Sequence, residues 1–204
     1  GLRQEVRSIP RALMMVGADR VKTMAVMVVM NQMVRAAVRI EALRKVWLHS
    51  LATALIAEEA AQDFGVSRDV AYTAGLLHNL GSLGLMSAYP DEYNRMLEVS
   101  NDFGFDLLHT ERDLFEIDHC AAGAYLAQDW EFPDELAAAL ASHHEEPEEG
   151  VRDIYNLVRI SWRMADVLGY AAFSPERQWT IEELTGFVPL RSAWLTGPAE
   201  SVAE

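Results

Sequence analysis

Five of the six histidines fall in four places: His49, His78, His119 and the adjacent pair His143 and His144, with Asp166 on the segment that follows. Imidazole nitrogen and carboxylate oxygen suit divalent transition metals, and helical folds build such sites from inward residues on facing helices. For any one of these histidines, a core ring bonded to a backbone or carboxyl oxygen is the simpler explanation; several buried rings that all need partners are also served by one shared cluster. Beside His78, in "GLLHNLGSLGL", Asn79 stands where a second metal-binding carboxylate would sit. A carboxamide is neutral, offers one weakly donating oxygen and cannot bridge two cations with comparable strength.

The elements that must position these residues are helices. Apolar residues recur at three and four positions in almost every segment, and no stretch alternates long enough for a strand, so the fold class is all-α. Ser8 to Pro10 open a short helix that stops at Gly17, and a long one covers Asp19 to about Val38. A third runs from Glu41 to Asp63 and ends at Gly65. Ser67 caps the next, which leads into a turn at Gly81 and Gly84 and leaves His78 and Asn79 in its last turn. Pro90 starts a helix that closes at Gly104; "DLLHTERDLF" and "DHCAAGAYLAQDW" follow, the second capped by Asp118, and Pro133 starts "PDELAAALASHH". After "EEPEEG" a helix spans Asp153 to Leu168 and stops at Gly169; Ser174-Pro175 and the box Thr180 to Glu183 mark short helices. His49 shares a face with Val46, Ala52 and Ile56, and His78 with Ala71, Ala74 and Gly75, so both point inward.

Composition narrows the function classes. The 204 residues are 50% hydrophobic, enough for one well-packed domain. No run reaches about 18 consecutive apolar residues, which argues against a membrane span. Seventeen basic against 31 acidic residues leave a net charge of −14, and with no basic patch that field repels phosphate backbones, so nucleic acid is not an expected partner. Cys120 is the single cysteine and no leader-like segment opens the chain, which fits a reducing cytoplasm; the start at Gly1 is that of a fragment or a processed chain.

The segments "VWLHSLATA", "AGLLHNLGSLGL", "DHCAAGAYLAQDWEFPDELAAALASHH" and "ADVLGYA" resemble the HDOD domain, the HD-related output domain of bacterial signalling proteins and a relative of HD-type metal-dependent phosphohydrolases. The resemblance covers about residues 1 to 170 and implies an HD-like multi-helix bundle, a single domain over 1–196 with a disordered tail at 197–204. Because the opening "GLRQEVRSIPRALMMVG" looks like the middle of such a domain, it also implies truncated or divergent amino-terminal helices. Carried over by position, the superfamily's metal ligands fall on His49, on His78 with its following residue and on Asp166, while His119, His143 and His144 match the extra histidines of two-metal members. Asn79 replaces the aspartate. Ser82 stands where the active cyclic-dinucleotide phosphodiesterases place a lysine, and their Gly-Tyr-Pro signature is absent. Hydrolysis of a phosphodiester needs a metal-activated water and cationic stabilisation of the phosphate oxygens.

The expectation is a non-catalytic signalling module, with no catalytic residues, that binds a partner protein or small ligand through a degenerate site of His49, His78, Asn79, His119, His143, His144 and Asp166. A phosphohydrolase acting on a nucleotide or cyclic dinucleotide is the alternative, and a receptor that keeps a nucleotide in the old cleft is a third reading. No cofactor is expected; if there is one, it is a single Fe, Mn or Zn ion held vestigially by His49, His78, His143 and Asp166. Self-association is left open. Among other residues, Met14, Met15, Met24, Met27, Met30 and Met33 read as helical core, Trp130 and Phe132 as a lock between two helices, and Cys120 as a small residue at a helix start. Arg159 and Arg163 read as partners of Asp166 or of surface acids rather than a phosphate site, and "EEPEEG" as a solvated loop.

Overall fold

The structure is a computed structural model that describes residues 41–102, 106–173 and 177–188. The helices expected before residue 40, the six methionines, the closure at Gly104, the start at Ser174-Pro175 and the tail beyond Gly197 lie outside these residues. The chain divides into two compact units, Gly1–Arg44 and Lys45–Glu204, and nearly everything described belongs to the second.

Among the described residues every regular element is helical: α1 Glu41–Ala60, a 3₁₀ turn Ala61–Phe64, α2 Arg68–Leu77, α3 Leu80–Ala88, α4 Pro90–Asp102, α5 Leu107–Phe115, α6 His119–Asp129, α7 Asp134–Ser142, α8 Ile154–Ala165, a π-helical turn Asp166–Tyr170 and α9 Ile181–Phe187. None of them is long and apolar enough to cross a membrane. Local chemistry accounts for the boundaries. Gly65 takes φ 71° to end the 3₁₀ turn, the Ser67 hydroxyl accepts from the Val70 amide, Asp118 accepts from Ala121, and Thr180 and Glu183 form a reciprocal capping box.

Helix α8 is the centre of the second unit and packs against α2, α7 and α9. Its Leu157, Ile160, Met164 and Ala165 join Ile56, Ala57, Phe64, Ala71 and Leu184 in one apolar core. On the other side α6 lies between α3 and α7. The turn expected at Gly81 and Gly84 is instead the interior of α3, a new helix that starts directly after His78 and Asn79. The glycines serve packing here. A Cβ on Gly81 would overlap the carbonyl oxygen of His119 and come within 2.5 Å of the Gly123 amide nitrogen, so α3 and α6 touch backbone to backbone. Gly75 does the same for α2 and α1, its missing Cβ lying 2.7 Å from Ala54 Cα. These two approaches bring His78 towards His49 and the start of α6 towards both.

Gly81→Ala should therefore cost about 3 kcal/mol or more, because no rotamer relieves a clash with backbone. Urea unfolding checks this against Gly84→Ala, whose added Cβ meets only the flexible end of Leu126; the Gly81 variant should lose clearly more of the midpoint, or fail to fold.

Candidate functional site

The structure brings six of the seven expected residues to one cavity of about 110 Å³, lined by His49, His78, Asn79, His143, His144 and Asp166 together with Trp162 and Arg163. His119 stands directly behind, against His143 and His144. Ring centroids step from His49 to His78 over 5.2 Å, to His143 over 5.0 Å and to His119 over 5.2 Å, so the histidines form a continuous buried row.

The hydrogen bonds fix how each ring is presented. His78 Nδ1 donates to the Gly75 carbonyl at 2.6 Å and His143 Nδ1 donates to the Leu140 carbonyl at 2.7 Å. Each ring therefore carries its proton on Nδ1 and turns a bare Nε2 towards its neighbours. The His78 Nε2 is buried without a partner. At His49 the order is reversed. Asp166 Oδ1 lies 3.0 Å from His49 Nε2, off the axis of a good hydrogen bond. The other nitrogen presents a lone pair, and the Asn79 side-chain N–H donates to it at 3.2 Å.

His119 is held differently again. Glu111, with no exposed surface, accepts from both the His119 amide at 2.8 Å and the His119 Nδ1–H at 2.7 Å, and Tyr93 donates to its other oxygen at 2.5 Å. His119 Nε2 comes 3.3 Å from His143 Nε2 and 3.1 Å from His144 Nε2. Three ring nitrogens at this separation need either a proton or a cation between them, since bare lone pairs repel. Burial works against charge on His119, but Cys120 and Glu111 outweigh it and raise the ring to about 10, so a proton on Nε2 bridges the group. Burial, reinforced by neighbouring charge, holds His78, His143 and His144 well below the usual histidine value, which keeps them neutral.

A cation fits the same place. Among the described residues His119, Cys120, His143 and His144 form a group whose ligand atoms all lie within 4.8 Å of one another. A tetrahedron with metal–nitrogen bonds of about 2.0–2.1 Å has edges of about 3.3 Å, close to both nitrogen separations. Cys120 Sγ lies 3.8 Å from the Nδ1 edge of His143, so the three imidazoles make the tight part of the group. Of the four residues expected to hold a metal, only His143 belongs to it; His49, His78 and Asp166 line the cavity beside it.

Helix α8 secures the carbonyl end of α7, where the paired histidines sit. Arg159 donates to the Ser142 carbonyl, Trp162 to that of His143, and Arg163 to that of His144 at 2.9 Å. Arg159 also pairs with Glu145 and Glu148, which ties down the acidic loop expected to be merely solvated, and Asn156 bonds the backbone of Glu148. Arg163 binds carbonyls rather than Asp166 and stacks on Trp162. Trp162 lies one turn before Asp166, a spacing that could have placed it in the site from sequence alone. Glu111 and Tyr93 had no such signal, because their contacts join separate helices. Trp130 and Phe132 meet edge to face, half-buried, at the link between α6 and α7.

The chain belongs to the HDOD domain family, whose model matches residues 1–146; Asp166 lies beyond that match. Three solved structures are similar. A protein assigned to signal transduction from Marinobacter aquaeolei VT8 is 26% identical with a TM-score of 0.59, over 73% of this chain and 34% of that one. The MmoQ response regulator from Methylococcus capsulatus str. Bath is 28% identical with a TM-score of 0.55, over 76% and 61%. A protein assigned as a phosphohydrolase from Shewanella amazonensis SB2B shares the fold at 23% identity and a TM-score of 0.54, over 74% and 51%. The chain thus spans about one third to three fifths of the lengths of these structures.

The lowered histidines predict acid sensitivity. Below the unfolded histidine value of about 6.5 the unfolded chain takes up protons that neutral His78, His143 and His144 refuse in the fold, so stability falls as pH falls. The loss should approach about 1.4 kcal/mol per histidine per pH unit. His119 acts in the opposite sense and above that window: its contribution is complete below about 6.5 and is lost as pH rises towards about 10. Chemical denaturation of chelator-treated protein between pH 7.5 and 5 measures it; a flat profile over that range would contradict neutral burial of the three rings.

Proposed function

We propose that this domain is a signalling module that binds a protein partner or a small ligand at the histidine-lined cavity and does not turn over substrate. The observation that carries this reading is the bond from the Asn79 side-chain N–H to His49 Nδ1. An aspartate at position 79 has no proton to give; it would accept from Nδ1–H and leave His49 Nε2 bare for a metal. With asparagine the ring is turned to the opposite tautomer, its Nε2 proton faces Asp166, and position 79 carries no charge with which to bridge two cations. A two-metal centre for in-line attack on a phosphate ester therefore lacks both a ligand and its central charge. The places of the Marinobacter and Methylococcus proteins in signal transduction support a regulatory role. The fold likeness to the Shewanella protein keeps hydrolysis as the competing reading, and the group of His119, Cys120, His143 and His144, which could hold an ion, is the feature that favours it.

Metal content and turnover on nucleotides and cyclic dinucleotides separate the two. At most one Fe, Mn or Zn ion per chain and no turnover are expected; turnover that His78→Ala abolishes would overturn the proposal. Asn79→Asp should restore a bare His49 Nε2 and raise divalent-metal affinity by about tenfold or more. Isothermal titration with Mn²⁺ measures this, and unchanged binding would show that the amide is not what limits the site.

A further inference from the structure

Taking the His119, His143 and His144 group as a site for a single ion, we propose that Glu111, backed by Tyr93, is the positioning residue that makes it a site. Its carboxylate sits in a pocket with no solvent exposure, and so does the imidazole it holds. Burying a carboxylate this completely is costly unless its oxygens are filled, and here they accept from the Tyr93 hydroxyl, the His119 amide and His119 Nδ1–H. Two of these three bonds go to one residue, so the carboxylate fixes both the backbone and the ring of His119.

The consequence lies on the far side of the ring. With Nδ1–H committed to Glu111, Nε2 is the nitrogen that faces His143 and His144 at 3.3 and 3.1 Å. His143 reaches the same state by donating Nδ1–H to a backbone carbonyl, a neutral acceptor. A carboxylate acceptor adds negative charge behind the ring, which makes Nε2 a stronger donor to a cation, and outer partners of this kind are worth about 10- to 100-fold in metal affinity. Tyr93 completes the arrangement: its hydroxyl occupies the Glu111 oxygen that His119 does not use, and its ring stacks on Phe115 with centroids 5.7 Å apart. Glu111 touches no ligand itself and acts only through His119.

Cobalt(II) titration of the whole chain tests this, since three imidazoles around Co²⁺ give a visible d–d spectrum that reports geometry as well as affinity. Wild type should bind one equivalent. Glu111→Gln keeps the shape but cannot accept from both His119 N–H groups and Tyr93 at once; it should bind about 10- to 100-fold more weakly and with an altered spectrum. Tyr93→Phe leaves the carboxylate in place and guards against a Gln variant that fails to fold; it should weaken binding by several-fold without changing the number of ions. Wild-type affinity and spectrum in both variants would overturn the role given to Glu111. A wild type that binds no Co²⁺ would overturn the single-ion site itself while leaving the absence of turnover untouched.

Discussion

One side-chain amide sets how the first ring of the histidine row presents its two nitrogens. His49 has two nitrogens and one proton to place between Asn79 and Asp166, 3.2 and 3.0 Å away. The Asn79 N–H donates to Nδ1, which leaves the ring's own proton on Nε2, the side of Asp166. The amide thus gives His49 Nδ1 a partner and, by the same bond, sets the tautomer on which the proposed loss of metal binding rests.

The rest of the site is divided by that contact. On one side lie His49, Asn79 and Asp166. On the other, His119, His143 and His144 point bare or shared Nε2 atoms at one another, with Glu111 behind the first and α8 holding the backbone of the other two. His78 stands between, with a buried Nε2 that has no partner. The proposed regulatory role rests on these unpaired groups, which a proton, one cation or a ligand would fill.

Much of the fold was legible because its signals are local. Ser67, Asp118, the Thr180–Glu183 box and Gly65 act within a few residues of themselves, and each boundary falls where those residue types put it. Gly81 and Gly84 misled for a physical reason: glycine permits a turn, but it equally permits two helices to touch, and only the presence of α6 shows which is at work. The inward direction of His49 and His78 followed from their helical faces, and their meeting with Asn79, His143, His144 and Asp166 followed from the family resemblance. What no spacing could reveal is which nitrogen of each ring carries the proton, or that His119 Nε2 meets those of His143 and His144. Glu111 stayed hidden for the same reason, as did the clamp of Arg159 on the acidic loop, where pairing with surface acids was foreseeable but its effect on α7 was not.

In the proposed state the histidine row has room for one cation and not for two. Crystals grown with excess Mn²⁺ and measured for anomalous scattering at the manganese edge test this directly. A single peak within bonding distance of the Nε2 atoms of His119, His143 and His144, with none between His49 and Asp166, is the expected result. Two peaks about 3.5–4 Å apart, one of them coordinated by His49, would contradict it.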